Sequence, residues 1–226
     1  MTTIKVKDFL SCDDLSPLWP RLAETLPAPL DLGATLSLGD VAARLGAQNA
    51  YWAVQEILQD DLWATAHRKI ISVLLLSVKR AAPRAANQQF HYCVRDLTKW
   101  AAGDNNIDLD EALEQISDSW AEKKIPVISA ARVAQALERA VQAEAQAEAR
   151  KKGLRAMDAA RAAELAAQSA TWAAHAARAK FPYDLARSAA WAAWAAQEVW
   201  APGEGKAEED QLQIADLVAA FPPLLP

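Results

Sequence analysis

The side chains that could run a reaction or hold a metal are few, and their spacing argues against most uses. The densest oxygen-ligand run is Asp104-Asn-Asn-Ile-Asp108-Leu-Asp110. A calcium loop of the EF-hand kind needs oxygen ligands at alternate positions, glycine at the sixth and a bidentate glutamate at the twelfth. Counted from Asp104, those two positions hold Leu109 and Gln115, so the loop fails as a calcium site. Asp108 reads instead as a helix cap, with Glu111 three residues on. His91 and Cys93 are two residues apart and so point to different faces of a helix. A nucleophilic thiol needs a base beside it and a group to orient that base, and nothing in the sequence puts His67 next to Cys93. His175 lies far from both. Seven glycines, none after a strand pattern, make no phosphate loop. No Glu-x-x-His pair marks a di-iron bundle. The expectation is a chain with no catalytic residues, no metal ligands and no cofactor.

What remains is aromatic. Trp191 and Trp194 are three apart and share a helix face, and the alanines around them leave room for an indole to lie across a neighbouring helix. Trp200 follows, then a Pro202–Gly205 loop and the acids Glu208, Glu209 and Asp210. Core packing accounts for any one of these tryptophans. Taken together, an aromatic anchor beside a charged rim is the usual anatomy of a protein-binding patch. The candidate partner-binding residues are therefore Trp194, Trp200, Glu208, Glu209 and Asp210. The polar half-helix around Gln142–Lys152 is the alternative face.

The elements that position these residues are legible from periodicity. Alanine doublets recur every three or four residues from Ala159-Ala160 to Ala195-Ala196, which keeps one helix face small turn after turn. Alanine also loses no side-chain entropy in a helix. Two closely packed helices are predicted, over 154–180 and 183–201, interrupted by Phe181-Pro182. Upstream, Ser37 and Asp40 form a capping-box start for a helix that stops at Gly46. Helices follow over 47–58, 62–80 and 84–102. The third of these four carries apolar residues nearly all round and belongs at the centre. A helix from Asp108 to Glu122 and a long one over 127–152 come next, and the last spans 207–220. Residues 1–36, punctuated by Pro17, Pro20, Pro27 and Pro29, read as irregular apart from a short helix over 20–26.

Composition sets the remaining bounds. A chain of 226 residues with 52% hydrophobic residues suits a single domain, and nine tryptophans compensate for the small volume of the alanines. The expected fold is all-α: one domain over 1–226 with about eight helices. It divides into the N-terminal segment 1–36, a helical core over 37–153, and alanine- and tryptophan-rich helices with a C-terminal helix over 154–226. The formal net charge of −5 and dispersed Lys and Arg argue against nucleic-acid binding and suit a basic protein partner. Two isolated cysteines and no signal-like or membrane-length apolar run imply a cytoplasmic protein with no membrane contact.

The order of segments carries a resemblance. Ala50-Tyr-Trp-Ala-Val-Gln55 is followed by a helix opening on His67-Arg68-Lys69, by Trp100-Ala-Ala-Gly103, by the alanine-tryptophan stretch, and by a terminal helix ending in Phe-Pro-Pro. Over roughly residues 40–220 this resembles the alanine-rich, all-helical immunity proteins of bacteria. The resemblance implies a non-catalytic protein that binds and neutralises a toxin. The same architecture suits a phage-encoded inhibitor of a host defence protein, again acting by steric occlusion. The rival expectations are a scaffold that homo-oligomerises through its alanine faces and, beyond that, an enzyme whose site has no recognisable motif.

Overall fold

The computed structural model describes residues 3–11, 15–26, 31–57, 63–84, 88–111, 155–200 and 204–225. The predicted helix ends between 112 and 154, including the Gln142–Lys152 face, lie outside these residues, as does Cys12. Among the described residues run nine α-helices: α1 (Val6–Ser11), α2 (Trp19–Ala23), α3 (Leu38–Leu45), α4 (Ala47–Ile57), α5 (Trp63–Ala81), α6 (Gln88–Ala101), α7 (Arg155–Arg178), α8 (Pro182–Glu198) and α9 (Glu204–Ala220). The fold is all-α. None of these helices is long and apolar enough to cross a membrane.

The N-terminal segment corrects the sequence reading. Residues 1–36 are not simply irregular, because β1 (Thr3–Lys5) pairs antiparallel with β2 (Thr35–Ser37), Ile4 opposite Leu36. Three-residue strands carry too little alternation to stand out beside the prolines. The pairing is fixed by burial of Ile4, Val6 and Leu36 under α3 and α4 rather than by strand propensity.

Local rules explain the helix boundaries. Ser37 and Asp40 make the predicted reciprocal capping box at the start of α3. Gly46 and Gly103, at φ 91° and 108°, end α3 and the turn after α6 in conformations that a side chain would strain. Pro83 interrupts the helical run, leaving a 3-10 turn over Ala82–Arg84. At Asp108, the Oδ1 oxygen accepts from the amides of Asp110, at 2.8 Å, and Glu111, at 3.3 Å. That carboxylate caps the helical turn at 109–111, as its sequence position implied.

Packing follows the alanines. α8 lies along α7 on one side and α4 on the other, with α5 beneath. Ala166, Ala170, Ala173, Ala186, Ala189, Ala192, Ala193 and Ala196 are all buried in these contacts. Small side chains let the two backbones come close enough for Ser169 Oγ to donate to the Ala192 carbonyl across the interface, at 2.9 Å. Ile70, Ile71, Leu74, Leu75 and Val78 make α5 the centre of the core, as its apolar circumference predicted. α9 then crosses α3 and α5, and the segment after it returns to the start of α3. There a Cβ on Gly39 would come within 1.9 Å of the Phe221 carbonyl oxygen, so only glycine allows that approach.

Candidate functional site

Among the described residues, two places combine chemistry with a built surrounding. One is internal and charged. The other is external and aromatic.

The internal one is centred on Arg80 at the end of α5. Its guanidinium donates through Nε and Nη2 to both Glu209 oxygens, each at 2.9 Å, and through Nη1 to Asp216, at 2.9 Å. Glu209 is only 1% exposed. A forked guanidinium on a carboxylate is the strong, geometrically specific form of an ion pair. Gln213 Nε2 reaches Glu209 and the Ala193 carbonyl, while Gln197 Nε2 donates to Asp210 Oδ1 at 2.7 Å. Tyr51 is buried close by, and burial, with the nearby Asp216 charge, pushes its hydroxyl pKa far above the usual range. Each polar group of the network meets another from a different helix, so the network joins α5, α8 and α9. In the sequence Arg80 reads as a charge that complements the end of its own helix. Instead it reaches across to α9.

This geometry corrects the acidic rim expected around the tryptophans. Glu209 faces inward as the partner of Arg80, because the turn-by-turn spacing of Glu209, Gln213 and Asp216 puts all three on the inner face of α9. Asp210 is half-buried and held by Gln197. Only Glu208 of the three lies exposed. Reversing the charge of Glu209 would set a second cation against Arg80 in a buried site, so it would not be a neutral surface change. Trp200 is half-buried, with the Arg84 guanidinium 4.6 Å above its ring and Gly205 against it. Trp194 is half-buried too, and belongs to the second place.

That second place is a ledge along α8. Tyr183, Arg187, Trp191 and Trp194 follow at helical spacings of four, four and three, which brings them onto one stripe. Tyr183 is 47% exposed and Trp191 40%, and Phe181 at the mouth of the helix is 65% exposed. Trp191 stacks on Trp172 of α7 at 6.4 Å with 26° between the planes, and meets Trp194 edge-on at 5.5 Å. Tyr183 lies against Trp52 of α4, at 6.4 Å. The buried alanines of α7 and α8 form the floor on which these rings lie. Lys180, Asp184 and Arg187 are exposed beside them, while Arg178 is paired with Asp110. The sequence pointed to Trp191 and Trp194 as face-sharing neighbours. Tyr183 and Arg187 extend the same period and could have been found by counting back in fours. The stack on Trp172 depends on how α7 and α8 are aligned, which no local spacing reveals.

Of the other reactive side chains among the described residues, His91 is exposed, while Cys93, His67 and His175 are engaged in packing. Cys93 is buried, and burial with the nearby Asp96 pushes its thiol up to about 12, so it is protonated at neutral pH. His67 is buried edge-on to Trp100, and its Nε2 donates to the Ala176 carbonyl at 2.8 Å. Burial lowers the pKa of both His67 and His175, with Arg68 and Arg178 respectively adding to the effect. Among the described residues no group of three or more His, Cys, Asp or Glu could hold a metal ion. The chain matches no protein-family model, no curated protein and no solved structure.

Proposed function

We propose that this chain is a non-catalytic protein-binding inhibitor and that the aromatic ledge on α8 is its docking face. The observation that carries the reading is the exposure of Tyr183 and Trp191 on a helix whose other faces are packed. Large aromatic rings on a rigid support lose little conformational entropy on binding, which is why tryptophan and tyrosine dominate interface hot spots. The inhibitory part of the proposal rests on the resemblance to bacterial immunity proteins: docking would cover the working surface of a toxin or of a defence protein. The alternative of self-association through alanine faces has less support, since the alanines of α7 and α8 named above are already buried within the chain.

The test is capture of a partner on the intact protein compared with Trp191→Ala and Tyr183→Ala variants, each first checked for unchanged helicity by circular dichroism. Loss of a central aromatic anchor should weaken the complex by roughly 2 kcal/mol or more, about thirtyfold. A partner held equally well by the folded double variant would remove α8 as the docking face.

A further inference from the structure

Taking the ledge to be a protein-docking face, we infer that what it receives is an acidic segment of the partner, with apolar side chains set among its carboxylates. The sequence total suggests the opposite, because a chain of net charge −5 suits a basic partner. The total misleads here. Glu209 and Asp40 are buried, and Glu209 and Asp216 share the one guanidinium of Arg80, so the total does not describe any one face. At physiological salt, charges more than about 8 Å apart are largely screened, so a docking face responds to the charges on and beside it. Among the described residues of α8 and the turn before it, those are Lys180 and Arg187, with Asp184 the exposed acid between them. Neither cation has an ion-pair or hydrogen-bond partner among the described residues, whereas Arg178 next to them is matched by Asp110 and Lys206 further along by Glu198. Arg187 stands between Tyr183 and Trp191 on the stripe itself. An approaching carboxylate would therefore be met within the apolar contact, where water is excluded and a charge-assisted hydrogen bond gains strength.

A nucleic acid offers the same sign of charge but fits less well. Base stacking needs splayed rings that bases can reach in succession, whereas Trp191 is already stacked on Trp172 and edge-on to Trp194. Two cations are also few for a phosphate backbone, where binding scales with the number of phosphates neutralised. An acidic helix or strand with leucine-like anchors uses what the ledge does expose, which is the side chains of Phe181, Tyr183, Trp191 and Arg187.

The experiment uses the full chain and three defined probes: two amphipathic peptides with one leucine pattern, carrying glutamate in one and lysine in the other at every flanking position, and an oligothymidylate as a plain polyanion. Tryptophan fluorescence reports binding. The glutamate peptide is expected to bind at least ~10-fold more tightly than the lysine peptide and the oligonucleotide. Lys180→Glu combined with Arg187→Glu should reverse the preference between the peptides, with circular dichroism unchanged. Preference for the lysine peptide, equal binding of the two, or no binding of either overturns the acidic assignment. Equal or tighter binding of oligothymidylate overturns it in favour of a nucleic acid. None of these outcomes bears on capture of a partner by the Trp191 and Tyr183 variants, so failure of the charge assignment is distinguishable from failure of the docking face.

Discussion

His67 shows how a single buried side chain sets a property of the whole protein. It lies between α5, α6 and α7, with Nε2–H donating to the Ala176 carbonyl and Trp100 against its ring. Protonation would place a charge in a buried site beside Arg68, so burial holds the pKa below its ordinary value of 6.5, and the same is true of His175 beside Arg178. The sign of the consequence is fixed. Below about pH 6.5 the unfolded chain takes up protons that the folded chain resists, so stability is fully present above that pH and falls as the pH drops toward the depressed folded values. Urea unfolding should therefore give a flat free energy from pH 8 to about 6.5 and a decline below it. His67→Gln retains an amide donor for the Ala176 carbonyl and removes one titrating group, so its profile should fall less steeply between about pH 6.5 and 5. A variant profile parallel to that of the parent would assign the acid sensitivity to other groups.

At the scale of elements, the pairing of α7 with α8 is the feature that the residue pattern determines most completely. Alanine doublets at helical spacing give these helices a small-sided face through which to pack closely, and Ala166 and Ala192 are indeed almost fully buried. Leucine at either position adds volume to a contact already close enough for the Ser169–Ala192 hydrogen bond. Ala166→Leu and Ala192→Leu should each cost roughly 1–3 kcal/mol, read as a lower denaturation midpoint with unchanged slope. Unaltered midpoints in both would contradict close packing. The helices α3 to α6 were legible for similar reasons: a capping box at Ser37–Asp40, glycines at helix ends, and an apolar girth on α5. What stayed hidden was any contact made by a polar side chain with a distant element. Glu209 has the same letters around it whether it faces solvent or Arg80. Its direction follows from the orientation of α9 against α5, and that is set by the joint packing of Leu217 and Phe221 with the rest of the core. The ledge was half legible, since periodicity locates Trp191 and Trp194 but not the ring of Trp172 that supports them.

For the molecule as a whole, the two ends of the described chain converge on one turn. Thr3 pairs with Ser37 through the β1–β2 ladder. Asp40, three residues on and 1% exposed, accepts from the amides of Ser37 at 2.9 Å, Leu224 at 2.8 Å and Leu225 at 3.3 Å. Ser37 Oγ also lies 3.2 Å from the Phe221 carbonyl. Asp40 is thus a buried carboxylate whose oxygens are met by backbone donors at the N-terminal end of α3. The sequence identified it as a helix cap, a role that contributes about 1 kcal/mol. The structure adds a second role, fastening the segment after α9 to the start of α3, and hydrogen bonds to a charged acceptor contribute about 1.5–3 kcal/mol each. Asp40→Ala should accordingly cost more than a cap alone, roughly 3 kcal/mol or more, because it leaves the Leu224 and Leu225 amides without their acceptor as well. The two roles separate in a double-mutant cycle. In a chain shortened after Phe221, where those amides are gone, the same substitution should cost only about 1 kcal/mol. Equal costs in the full and shortened chains would reduce Asp40 to a cap. A smaller cost in the shortened chain, with faster amide exchange at Ile4 in the full-length Asp40→Ala variant, would establish that one carboxylate couples the strand pair, α3 and the segment that follows α9.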